Sequence, residues 1–160
     1  MATSEDGNRT WSAAVVWFRR DLRLADHPAL TEAVRSARNV IPLFVLDERL
    51  LAAAAPARAW FLRRSLAELA ASLRARGSGL LVREGDPELV VPDVARAYDA
   101  EVVLATRDVT PFSHRRDAAI ASALEAEGRA LKLRGGLLLA EPEAVATSTG
   151  TPYGVFTPFW

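Results

Sequence analysis

The chain has 160 residues, half of them hydrophobic and a quarter charged, with twenty basic residues balancing twenty acidic ones. That size and composition suit one soluble globular domain, and the zero net charge argues against a protein that grips nucleic acid by bulk electrostatics. The absence of cysteine excludes disulfides, thiolate metal sites and cysteine nucleophiles.

Residues 1–12 read as a disordered lead, polar from Met1 to Thr10 and without a signal-type apolar segment. Ala13 to Phe18 reads as a buried strand. The charged loop Arg19-Arg20-Asp21-Leu22-Arg23 follows, then a helix from Pro28 to Arg38, with Asp26 as its N-cap and Pro28 in its first turn. Leu30, Ala33, Val34 and Ala37 fall on one face of that helix. Val40 to Leu46, a continuous apolar run ending at Asp47, has the pattern of a parallel strand buried on both faces.

An alanine-rich connector, Leu50 to Pro56, leads to a long helix, Ala57 to Arg76. Leu62, Leu66, Leu69 and Leu73 form one stripe along it and Gly77 ends it. Leu80 to Arg83 is a third strand. Gly85-Asp86-Pro87 opens a helix expected to kink or restart at Pro92, which lies too deep for a first turn. Glu101 to Ala105 is a fourth strand, Thr106 to Phe112 a loop, and Ser113 to Glu127 a helix with Ile120, Ala123 and Leu124 inward. Ala130 to Leu133 is a fifth strand, with Gly135-Gly136 after it.

Five strands alternating with four helices predict an α/β fold over residues 13–140. The expected form is a doubly wound five-stranded parallel sheet with helices on both faces, Rossmann-like. Residues 141–160 differ. A polar, turn-rich stretch gives way to Val155, Phe156, Phe159 and Trp160, an apolar pad that calls for a partner surface. No apolar run approaches a membrane span, so no membrane partner and a cytoplasmic location are expected.

In a doubly wound sheet, ligands collect at the carboxyl ends of strands, and the first and fourth strands meet at the switch point. Arg19, Arg20, Asp21 and Arg23 therefore stand where a ligand rim would be, although a salt-bridge cluster fixing the strand exit explains the same residues. Arg107, Asp108, Thr110 and Phe112 follow the fourth strand and could face them across a crevice; a helix-start loop with Pro111 in its first turn is the plainer reading. Arg58, Trp60 and Phe61 open the long helix, where aromatics at helical spacing are usually core. No G-x-G-x-x-G or G-x-x-x-x-G-K-[ST] phosphate loop is present, which disfavours an ordinary nucleotide-binding or electron-transfer domain. His27 and His114 lack metal spacing, and His27, ahead of a proline, reads as structural.

Together these residues resemble a known family. Trp17-Phe-Arg-Arg-Asp-Leu-Arg-Leu24 with Asp26-His-Pro-Ala-Leu30 is similar to the opening motif of the DNA photolyase/cryptochrome family. Arg58-Ala-Trp-Phe-Leu62, Arg107-Asp-Val-Thr-Pro-Phe112 with Arg115-Arg-Asp117, and Tyr153-Gly-Val-Phe-Thr-Pro-Phe159 resemble later family segments, in order.

The resemblance implies the N-terminal α/β domain, which binds a light-harvesting antenna chromophore. In such proteins a following helical domain binds FAD and holds the flipped-out pyrimidine dimer of damaged DNA. Excitation passes from the antenna to reduced FAD, whose electron splits the dimer. By resemblance, residues 141–160 begin the linker to that helical domain, and FAD and DNA belong to the full-length architecture only. The present chain would not repair DNA alone.

The implied ligand is a planar chromophore lying between the ends of the first, second and fourth strands. Arg19, Asp21 and Arg23 would form one polar edge, Arg107 and Asp108 the other, and Phe44 to Asp47 with Arg58 the walls. No catalytic residue and no metal are implied. Folate-using members carry a glutamate where Thr110 stands, so 8-hydroxy-deazaflavin is expected ahead of methenyltetrahydrofolate, or no antenna at all. A different class of function is a ligand-free interaction module that docks its aromatic tail on a separate helical partner.

Overall fold

The computed structural model describes residues 9–52 and 55–136, together with 138, 145, 147, 150 and 151. The elements run β1 (Trp11–Phe18), α1 (Pro28–Ser36), β2 (Ala37–Leu46), α2 (Glu48–Ala52), α3 (Pro56–Arg74), β3 (Leu81–Glu84), α4 (Pro87–Ala97), β4 (Val102–Thr106), α5 (Pro111–Glu125) and β5 (Ala130–Arg134). The strands form one sheet in the order β3-β2-β1-β4-β5, with every pairing parallel. The chain winds outward from β1 through β2 to β3, then returns to β4 and continues to β5. The reversal between β1 and β4 is the switch point of a doubly wound sheet.

Strand alternation divides the core. Ala13, Val15 and Trp17 of β1 face one side, where Val103 and Ala105 of β4 join Val91 and Val94 of α4 and Ile120 and Leu124 of α5. Ala14, Val16 and Phe18 face the other, against Ala29 and Ala33 of α1 and Leu66, Leu69 and Leu73 of α3. Both faces are covered, which is why the central strands read as continuous apolar runs. Each large side chain buried this way contributes about 1.5–3 kcal/mol.

Several local expectations are corrected. β1 begins at Trp11, inside the expected lead, because Trp11 pairs with Ala37, the first residue of β2. α1 stops at Ser36 and β2 follows at once, so the same pairing ends the helix two residues early. Its N-cap is His27, whose Nδ1 accepts the Leu30 N–H at 3.2 Å; Asp26 instead takes a left-handed backbone, with φ of 50°. Val34 is exposed, and α1 packs through Ala29 and Ala33. The connector after β2 holds the short helix α2. Pro92 sits inside α4 without breaking it. Trp60 and Phe61 are 65% and 67% exposed, because α3 turns its leucine stripe, not its aromatic start, to the sheet.

The aromatic tail and the linker proposed for residues 141–160 lie mostly outside the described residues. No helix among the described residues is long and apolar enough to cross a membrane, and among them no group of three or more His, Asp and Glu side chains could hold a metal ion.

Candidate functional site

At the carboxyl ends of β1, β2 and β4 lies a crevice of about 620 Å³, within the range of small-molecule and cofactor pockets. Its walls are apolar and aromatic, with Trp17 and Phe18 from β1, Phe44 from β2, Phe61 and Leu62 from α3, and Phe112 from α5. Polar groups meet it from the loop after β1 (Arg19, Arg20), from Asp47, from Arg58 at the start of α3, and from Asp108 and Arg116.

Arg19 follows Trp17 by two residues and so leaves the strand on the same face. Its Nη1 donates to both carboxylate oxygens of Asp117 on α5, each at 2.9 Å. Arg116 donates to the same carboxylate from Nε and Nη2 at 3.1 and 3.0 Å. All three side chains are at least nine-tenths buried. Burial pulls the Arg19 guanidinium below its usual range, with Asp117 opposing; a guanidinium stays charged nonetheless. The trio therefore carries one net positive charge out of water. Nε and Nη2 of Arg19 find no hydrogen-bond partner among the described residues.

Asp108 closes the opposite edge. Its Oδ1 accepts the Val109 N–H at 2.7 Å, and Arg20 approaches its Oδ2 at 3.5 Å. Burial pushes this carboxyl up, but Ser113, Arg20 and the backbone donors outweigh burial and hold it below the usual range. Asp47 is gripped by Arg49 through bonds of 2.9 and 2.8 Å, which lower its pKa. Arg49 also stands over Phe112, 5.8 Å from the ring centre. Thr110 caps α5, its Oγ1 accepting the Ser113 N–H at 3.2 Å, so no carboxylate stands at that point of the rim.

Of the eight residues expected around a ligand, Arg19, Phe44, Asp47, Arg58 and Asp108 line this crevice; Asp21, Arg23 and Arg107 do not. Asp21 turns inward, with its Oδ2 2.9 Å from His27 Nε2 and accepting from the Thr106 hydroxyl. Arg23 bends away to the carbonyls of Asp26 and Gly136. Arg107 donates its backbone N–H to Arg134 O at 2.7 Å, beside β5. Conversely, sequence reasoning left Trp17 and Arg116 out of the site. Trp17 sits at the carboxyl end of β1 in step with Arg19, and that alternation was the available signal.

An all-parallel, doubly wound sheet with an aromatic-walled, polar-rimmed crevice at its switch point defines the class of α/β domain in which ligand sites lie at the carboxyl ends of the strands. The residues present fit a planar group. The walls match ring faces, and the unpartnered Arg19 donors suit the acceptor atoms of a heteroaromatic ring. A family model described as DNA photolyase matches residues 14–160, and this chain belongs to that family. It is 40% identical over 147 residues to a deoxyribodipyrimidine photo-lyase of Synechococcus, covering 90% of this chain and 30% of that protein.

A class III photolyase from Agrobacterium tumefaciens has a TM-score of 0.83 at 35% identity, covering 99% of this chain and 33% of that one. An archaeal photolyase from Sulfolobus tokodaii, described with two FAD molecules and an implied novel light-harvesting cofactor, has a TM-score of 0.76 at 34% identity, over 81% of this chain and 31% of that one. The chain spans about 30% of the length of the first curated relatives it matches.

Proposed function

We propose that this chain is the light-harvesting domain of a photolyase-type protein, holding an antenna chromophore in the crevice at the β1/β4 switch point. In the assembled protein it would pass excitation to FAD in a helical partner domain that acts on damaged DNA. The observation that carries the reading is the crevice itself. Flat aromatic walls stand beside a buried, positively charged arginine with unpartnered donors.

When bound, the chromophore supplies absorption of light. The chain's own residues do the rest. Phe44, Phe61 and Phe112 shield the ring faces from water, while Arg19 and Asp108 orient the polar edges by hydrogen bonds. Arg58 closes the mouth from the start of α3. A tricyclic, flavin-type chromophore is favoured over methenyltetrahydrofolate, because Thr110 is engaged in capping α5 and offers a pterin no carboxylate. The similar Sulfolobus photolyase with two FAD molecules makes FAD itself a third chromophore to test.

The test is a titration of the purified chain with 8-hydroxy-deazaflavin, methenyltetrahydrofolate and FAD, read by visible absorbance and fluorescence. Saturable deazaflavin binding that weakens about tenfold in Arg19→Gln supports the reading. No binding by any of the three would sink it.

A further inference from the structure

The crevice differs chemically between its interior and its mouth. Of the side chains that line it, four are exposed: Arg20, Leu50, Arg58 and Phe61. The two carboxylates that line it, Asp47 and Asp108, are buried. Both are engaged, Asp47 by Arg49 and Asp108 by the Val109 N–H and Arg20. Among the described residues, the solvent side of the crevice therefore carries two cations and no exposed carboxylate.

The chain gives these two cations little to hold. Arg58 makes no hydrogen bond or ion pair with a described residue. Arg20 has one charged contact, its Nε 3.5 Å from Asp108 Oδ2, and its side chain is 67% exposed. Arg58 also stands in the first turn of α3, a 19-residue helix with no acidic residue in that turn and no side-chain cap from Ala55. The positive end of a helix dipole opposes an arginine and favours an anion. Deeper in the same crevice, Arg19 is nine-tenths buried yet keeps Nε and Nη2 without a hydrogen-bond partner, which points to an occupant of the crevice itself.

A flavin-type ring seated among Phe44, Leu62 and Phe112 carries one flexible substituent, the hydroxylated chain on its central ring. The interior offers that chain no free carboxylate, because Asp47 and Asp108 are taken. The chain therefore leaves by the mouth, where Arg20 and Arg58 stand. We propose that the crevice selects ring chromophores whose side chain ends in a phosphate, and that Arg20 and Arg58 are the residues that recognise it. A guanidinium meets a phosphate with two parallel hydrogen bonds, and Arg20 can use its two terminal nitrogens while Nε stays beside Asp108. The inference rests on the chromophore-binding reading above and adds a specificity that the ring walls do not supply.

The experiment measures affinity for two matched pairs: 8-hydroxy-deazaflavin without and with a 5′-phosphate, and riboflavin with FMN. The ring is the same within each pair, so the ratio of the two dissociation constants isolates the phosphate. In the wild type the phosphate should tighten binding about tenfold or more at low salt, and the gain should shrink as salt rises, because the mouth is open to solvent. Arg20→Gln and Arg58→Gln should each cut the ratio by about threefold, and the two combined should bring it close to one. Arg64→Gln, on the same helix but outside the crevice lining, should keep the wild-type ratio.

Equal affinity within each pair that binds the wild type would overturn the inference while leaving the proposed function standing. So would a ratio undiminished in the combined variant, which would put the phosphate elsewhere. A ratio reduced as much by Arg64→Gln as by Arg58→Gln would overturn it too, as a general attraction of anions to a basic helix. Failure of the wild type to bind any of the four compounds would defeat the proposed function, and this inference with it.

Discussion

Asp21 Oδ2 and His27 Nε2 lie 2.9 Å apart, with both side chains almost wholly removed from solvent. Because His27 Nδ1 accepts the Leu30 N–H, the ring proton resides on Nε2, the nitrogen beside the carboxylate. Asp21 also accepts from the Thr106 hydroxyl and from the Arg19 N–H. One carboxylate thus ties the end of β1 to the end of β4 and to the start of α1. Asp21→Ala strands all three donors and should destabilise the fold by roughly 3–5 kcal/mol. Asp21→Asn, which keeps an acceptor, should cost about half as much. Urea unfolding followed by circular dichroism measures both; equal stability of Asp21→Ala and wild type would remove the keystone role.

The same carboxylate sets an acid limit. Burial works to raise it, but the contacts from His27 and Thr106 prevail and bring it from an ordinary 3.8 to about 2. The folded carboxyl is the stronger acid, so the unfolded chain takes up the proton first and acid favours unfolding. The stabilisation is complete above about pH 4 and is lost as pH falls towards about 2. The acid limb of wild-type stability should be steeper than that of Asp21→Asn by on the order of 2 kcal/mol across this window. Parallel limbs in the two proteins would be the contrary result.

Gly136, just after β5, adopts φ of 136°, and a Cβ there would meet Pro28 Cδ at 3.1 Å. Its carbonyl also accepts from Arg23 Nη2 at 3.1 Å. Gly136→Ala should lower the melting temperature, with a cost of about 1–3 kcal/mol from backbone strain and contact with the α1 start. Gly79→Ala, where a Cβ would meet nothing, should be neutral or slightly stabilising. Similar melting temperatures for the two variants would show that the α1 start does not crowd Gly136.

The fold was legible because its evidence is periodic. Apolar runs at Ala13–Phe18 and Val40–Leu46, and the stripe of Leu66, Leu69 and Leu73, leave few arrangements other than a parallel sheet covered on both faces. The crevice followed from topology, since the switch point lies between β1 and β4 wherever such a sheet is doubly wound. What sequence could not supply was direction. Arg19, Asp21 and Arg23 alternate along one loop, yet Arg19 reaches α5, Asp21 turns into the β1–β4 seam, and Arg23 bends back to Gly136. These choices depend on partners ninety or more residues away in two of the three cases: Asp117 for Arg19 and Gly136 for Arg23. Trp60 and Phe61 misled for a related reason. Helical spacing shows which residues share a face, but not which face the sheet takes.

The geometry separates residues that share a motif but not a site. Ser65 on α3 lines the crevice, and a large ring in its place would fill much of that space. Arg23, from the same charged loop as Arg19, spends its donors on backbone carbonyls away from it.

The most direct test of the central claim is therefore an equilibrium titration of 8-hydroxy-deazaflavin into wild type, Ser65→Trp and Arg23→Gln, each first shown to be folded. Binding at the β1/β4 switch point predicts saturable uptake by wild type and Arg23→Gln with similar affinity, and a loss of about tenfold or more in Ser65→Trp. Equal binding by Ser65→Trp and wild type would place the ligand elsewhere and contradict the assignment of the crevice.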